Sequence, residues 1–222
     1  MIFDWPANLV PQQLSILPPS KTSGLSTSLS GFTQAVPAIR PPFRLRMEFG
    51  NLFGDEVLAW RAAIGLFEGR TNIARIPLFD LWFRANDPAI GAGSVSHSDG
   101  SAFSDGTLYV TDDLSGVTTT TVQGQRNIAA DFGSYGQLLQ AGLYFGLGEH
   151  CYLATGVWWD GTVATIRTTP TMRKAYTGEA VKLRPVMRVG LTDDNAGELS
   201  LKTGRYGGPS LELVERFDEP LS

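Results

Sequence analysis

A chain of 222 residues with 42% hydrophobic content can bury its own core, as one large unit or two smaller ones, without disulfide staples. Its single cysteine, Cys151, excludes an internal bridge, and a formal charge of −4 excludes the general positive field that nucleic acid or anionic lipid requires. No stretch approaches the roughly 20 apolar residues that span a bilayer. The opening MIFDWPANLVPQQ has an aspartate and an early proline where a secretory signal has basic and then apolar residues. A soluble protein that folds in a reducing cytoplasm is the expectation.

Residues 1–42 are rich in proline, serine and threonine, and Pro6, Pro11, Pro18, Pro19, Pro37, Pro41 and Pro42 break every potential helix. The same stretch carries Phe3, Trp5, Leu9, Val10, Leu14 and Ile16, which need cover from water. An extended arm packed on its own domain or on a neighbouring subunit reconciles the two, with Ser23 to Phe32 as an edge strand or loop. Phe43, Leu45, Met47 and Phe49 then alternate with Arg44, Arg46 and Glu48, the pattern of a half-buried strand. Asp55 and Glu56 open a helix whose Val57, Trp60, Ala63 or Ile64, and Phe67 recur on one face, and Gly69 is placed to stop it. A strand from Ile73 running on to Phe83 completes a strand-helix-strand unit.

From Asn86 to about Gly136 the composition turns to Gly, Ser, Asp and Thr, which predicts a surface excursion holding a few strands, Leu108 to Thr111 and Gly116 to Gln123 among them. Beyond it the alternation of short apolar runs with glycine and proline predicts antiparallel strands. In that block, Val157 to Trp159 stop at Asp160-Gly161, a hairpin signal, and β-branched residues resume at Val163. Leu199 to Leu201 and Leu211 to Phe217 are the last expected strands.

Candidate chemistry is sparse. His97, Asp99 and Asp105 offer oxygen and imidazole ligands, but their spacing does not match an acidic calcium loop and no terminal glutamate completes a cage. Neither His97 nor His150 sits in a motif that marks a base. GLYFGLG and GRYGG lack the strand-to-helix context of a phosphate cradle and read as turns or bulges. No catalytic, cofactor-binding or metal-binding residue is assigned, and the chain is read as no enzyme. Asp112, Asp113, Asp193 and Asp194 look like turn acids. The arginines around Arg40 and Arg44, and those from Arg167 to Arg188, suit inter-subunit contacts or solvated faces better than a phosphate track. Adjacent Trp158 and Trp159 must point to opposite faces of a strand. One is expected to face the core and the other an interface, a ligand or solvent.

The segments RPPFRLRMEF, GDEVLAWRAAIGLFEGRTNIARIPLFD and AGLYFGLGEHCYLATGV, followed by TIRTTPTMRKAYTGEAVKLRPVMRVGL, resemble distal tail or baseplate hub proteins, the tail-tip structural proteins of long-tailed bacteriophages. The resemblance omits residues 86–136. It implies a ring, commonly of six copies, that joins the tail tube protein to baseplate hub and fibre proteins within the virion tail. It also implies a mainly β fold: an antiparallel β-sandwich with one flanking amphipathic helix, plus a second small β module, barrel or sandwich. The expected divisions are an arm at 1–42, a strand-helix-strand part of the sandwich at 43–85, the excursion at 86–136 and a β block at 137–222. Trp5, Arg40, Arg44, Trp158, Trp159, Arg173 and Arg184 are the interface candidates. The alternative function is a carbohydrate-binding module that recognises a bacterial surface glycan through Trp158 or Trp159, and a tail-associated hydrolase carries less weight. No nucleic-acid-specific binding and no membrane insertion are expected.

Overall fold

The computed structural model of this protein describes residues 1–19, 22–38, 40–78, 93–95, 109–111, 113–202 and 206–217. Strands β1 (Ile2–Asp4), β2 (Gln13–Leu17), β3 (Thr22–Thr27), β4 (Thr33–Pro37) and β5 (Arg44–Glu48) precede helix α1 (Asp55–Phe67). After β6 (Ile73–Pro77) come β7 (Gly93–Val95), β8 (Tyr109–Thr111), β9 (Asp113–Thr121) and β10 (Asn127–Asp131). The chain continues with β11 (Tyr144–Leu147), β12 (His150–Asp160), β13 (Val163–Thr169), β14 (Tyr176–Lys182), β15 (Val186–Leu191) and β16 (Ser210–Glu215). The fold is mainly β, with a helix-flanked sheet and a second, nearly closed barrel-like sheet.

The first sheet has the order β1-β6-β15-β16-β5-β2, with β1 parallel to β6 and the remaining pairs antiparallel. Its logic is visible in β5, where Leu45 and Met47 are buried while Arg44 and Arg46 face water, as side chains two apart share a face. The helix buries Val57, Trp60, Ala63 and Phe67, the stripe expected from its spacing. At its start the Phe53 amide donates to Glu56 Oε2 at 3.1 Å, and its end falls at Glu68 and Gly69, both left-handed with φ of 47° and 67°. Trp60 is the anchor: its ring meets Phe49 at 4.9 Å and Trp5 at 6.2 Å between centroids, and its Nε1–H donates to the Gly197 carbonyl at 3.0 Å.

Residues 1–17 pack on the chain's own first sheet, the first of the two alternatives expected for this stretch. Trp5 and Leu9 are buried in the first core, the Trp5 indole N–H donates to the Leu9 carbonyl at 2.8 Å, and β1 and β2 form the two edges of the sheet. The prolines that forbid a helix leave the chain extended, and extended chain beside an open strand edge completes the sheet.

The second sheet runs β10-β13-β12-β11-β14-β9, antiparallel throughout. It curls until its two ends meet, and the Thr119 hydroxyl on β9 donates to the Ala129 carbonyl on β10 at 2.8 Å. Inside lie Leu114, Val117, Ile128, Phe132, Phe145, Tyr152, Ile166 and Val181. Strands β9 and β10 of the polar excursion thus wall this core: Leu114, Val117, Thr119, Thr121, Ile128 and Ala130 are buried, while Thr118, Thr120 and Ala129 face outward. Residues 79–92, 96–108 and 112, with the expected continuation to Phe83, lie outside the described residues.

Two local expectations shift. In the β12–β13 hairpin Asp160 pairs with Val163, so the two-residue loop is Gly161-Thr162 with Gly161 at φ 60°, one residue later than Asp160-Gly161. Leu199 to Leu201 form no strand; Leu199 packs against the first core from a loop.

Strand β12 of the second sheet lies between the two cores. Cys151 faces the first core and Tyr152 the second, which explains the unbroken apolar run around Cys151: both faces of the strand are covered. Glu149, in the turn before β12, lies 3.0 Å from both Arg75 and Arg188 of the first sheet.

Candidate inter-subunit surface

Strands β3 and β4 form a hairpin apart from both large sheets, paired from Thr22–Pro37 to Thr27–Thr33. At its tip the Ser28 amide donates to the Phe32 carbonyl at 2.8 Å, the Gly31 amide to the Ser28 carbonyl at 2.9 Å, and Ser28 Oγ accepts from the Phe32 amide at 3.2 Å. Gly31 supplies the positive φ, 83°, that this reversal requires. The ordered tip holds Leu29 and Phe32 outward: Phe32 is 79% exposed and Leu29 fully so, with Leu25 and Val36 exposed on the two faces behind them. Residues 22–38 contain no charged side chain. An uncharged hairpin that pairs with no third strand among the described residues lacks the lysines and inward charges that keep strand edges single, and a two-stranded hairpin alone in water is marginally stable.

The outer face of the first sheet carries a second, partly apolar surface. There Leu17, Arg44 and Val214 stand in one cross-strand row and Ser15, Arg46 and Glu212 in the next. These two rows line a groove of ≈ 590 Å³. Arg46 is paired with Glu48 at 3.2 Å, and both are substantially exposed.

The interface candidates named from sequence separate into three groups. Arg40, Arg44, Arg184 and Trp158 are exposed. Trp159 is half-buried, its ring edge-on to Phe132 at 5.1 Å, so the pair of tryptophans divides between the two faces as the alternation requires. Trp5 and Arg173 are interior: Trp5 belongs to the first core, and Arg173 is 5% exposed within a polar cluster between the sheets.

In that cluster Arg173 is ion-paired with Glu215 and donates through Nη2 to the Pro41 carbonyl at 2.8 Å; its guanidinium lies 4.3 Å from the Phe217 ring centre. The Arg173 amide donates to the Tyr152 hydroxyl at 3.0 Å, which lies 3.2 Å from the Tyr176 hydroxyl. Burial pushes both phenols above their ordinary range, the Tyr152–Tyr176 contact helping to raise Tyr176 further. Burial, with Arg188, Lys174 and Arg173 nearby, lowers the His150 imidazole to about 4, and its Nδ1 has no hydrogen-bond partner. These groups are closed to solvent, so the arrangement ties the sheets together and presents no reacting atom to a substrate.

Asp193 Oδ1 accepts from the Asn195 amide at 2.8 Å, as a turn acid does, while Asp194 pairs with Arg70 at 3.2 Å. His97, Asp99, Asp105 and Asp112 lie outside the described residues. Among the described residues no three His, Cys, Asp or Glu side chains gather as a metal site, and no helix is long and apolar enough to cross a membrane. Sequence reasoning placed Phe32 in an edge strand or loop but did not single out Leu25 or Leu29. The available signal was the run of 22–38 without a charge. Compared with protein-family models and with curated proteins, the sequence matches none of them.

Proposed function

We propose that this protein is a structural component of a bacteriophage tail tip that works by assembling into a ring and docking other tail proteins. The observation that carries the reading is the β3–β4 finger, an uncharged hairpin whose Leu25, Leu29, Phe32 and Val36 face water in the single chain. Such a surface is satisfied by a second copy. In a head-to-tail ring each protomer gives one surface and receives another, and the groove beside Leu17 on the outer face of the first sheet is a concave, partly apolar surface suited to receive a finger. The edge strands β1 and β2, which have no outer partner among the described residues, offer further backbone pairing to a neighbour.

In this reading the ring, commonly of six copies, joins the tail tube protein to the baseplate hub and fibre proteins, and the protein is not an enzyme. Arg40, Arg44 and Arg184 supply the polar rim of the contacts. Electron-microscope imaging of the purified protein in negative stain tests the proposal. Closed rings of uniform size support it; a field of separate monomers at high protein concentration removes its basis.

A further inference from the structure

Trp158 is 56% exposed on the outer face of the second sheet. A Cβ added to Gly156 would lie 2.7 Å from Cη2 of that indole and 3.2 Å from two more of its atoms. The ring therefore lies flat along its own strand, over the glycine two residues back, with one face against the sheet and the other toward water.

The register defines what surrounds it. Trp158 pairs with Thr165 and Thr165 with Ala129, so two small, exposed side chains form a floor beside the indole. That floor crosses two strand spacings, about 10 Å. The row on one side brings Arg167 and Asn127, and the row on the other brings Asp160 and Asp131, all exposed. Asp131 is already oriented: its Oδ1 accepts from the Gly133 amide at 3.0 Å. The Thr162 hydroxyl also bonds it, and the two bonds hold its carboxyl below the usual range.

We infer that this face binds a neutral oligosaccharide, one pyranose unit stacked by its C–H face on Trp158 beside Arg167 and Asp160, and further units crossing the Thr165–Ala129 floor with hydroxyls bonded by Asn127 and Asp131. Flat aromatic surface beside planar hydrogen-bonding groups is what a sugar ring, apolar on its faces and polar round its rim, requires. The two carboxylates disfavour phosphate-bearing ligands and acidic sugars. The inference stands on this face of the barrel alone and does not depend on the ring reading.

The test is to probe the full-length protein on a printed array of neutral and N-acetylated oligosaccharides, and to titrate the strongest responder by calorimetry against wild type, Trp158→Ala and Ala129→Arg. The expected result is saturable binding of at least one oligosaccharide, weakened about tenfold or more by either substitution with melting temperature unchanged. Should Trp158→Ala fail to fold, Ala129→Arg alone decides, since it fills the floor from an exposed position. Absence of binding across the array, or binding that survives the folded variants, overturns the inference.

Discussion

Arg173 Nη2 lies 2.5 Å from Glu215 Oε2 and Arg173 Nε lies 3.0 Å from Oε1, a two-point ion pair whose side chains are each 1% exposed. Arg173 comes from the turn between two strands of the barrel and Glu215 from the first sheet, so the pair fastens one sheet to the other. The Phe43 amide also donates to Glu215 Oε2 at 2.9 Å, which spreads the carboxylate's charge over several donors.

Removing one partner leaves the other charged and buried. Glu215→Leu is expected to destabilise the protein by about 3–5 kcal/mol, whereas the double change Arg173→Met with Glu215→Leu is expected to lie closer to wild type. Urea unfolding of the three proteins checks this. A double variant less stable than Glu215→Leu would contradict it.

Trp60 is 1% exposed and touches Trp5 and Phe49. Trp60→Ala is expected to lower stability by about 3–5 kcal/mol, as truncation of a buried large aromatic does. A loss below about 1 kcal/mol in chemical denaturation would mean that this helix face is not packed as described.

Deletion of residues 1–19 tests whether the N-terminal stretch is an arm or part of the fold. It removes β1, β2, Trp5 and Leu9, two sheet edges and two buried core side chains. The truncated protein is expected to lose its cooperative thermal transition and part of its β-type circular dichroism. A truncated protein with an unaltered transition would return this stretch to the role of an arm.

His150 gives the pH dependence a sign. Burial, then Arg188, Lys174 and Arg173, lower its folded value from 6.5 to about 4. The unfolded chain binds the proton more readily, so this contribution is complete above about pH 6.5 and is lost as pH falls toward about 4. The gap corresponds to on the order of 3 kcal/mol. Unfolding free energies at pH 7 and pH 4 should differ less in His150→Phe than in wild type; the carboxylates titrate in both proteins and drop out of the comparison. Equal differences would show that His150 does not titrate between those values.

The parts of this fold that were legible in the sequence are those with a local period. Phe43, Leu45, Met47 and Phe49 state a strand with one buried face, and Val57, Trp60 and Phe67 state a helix with one. Trp158 and Trp159 had to face opposite ways, and they do. The assignments that failed depend on contacts between distant segments. Prolines and apolar residues around Trp5 announce extended chain that needs cover, yet nothing local says that β1 joins β6, whose partner for Ile2 is Ile73. Arg173 and Glu215 lie 42 residues apart in separate turns and strands, so an arginine expected at a contact between subunits became a contact between sheets. Threonine-rich β9 looked peripheral because its composition is polar, although the alternation of buried Val117, Thr119 and Thr121 with exposed Gly116, Thr118 and Thr120 fits a barrel wall.

The central claim is that the β3–β4 finger joins one protomer to the next, and sedimentation velocity of wild type beside a Leu29→Asp, Phe32→Asp variant tests it most directly. Both positions are exposed, so the folded protomer is expected to keep its melting temperature. Wild type should sediment as a closed oligomer and the variant as a monomer, because a charge in a closed apolar contact is costly to bury. An oligomer that persists in the variant, or a wild-type protein that remains monomeric at high concentration, would contradict the account.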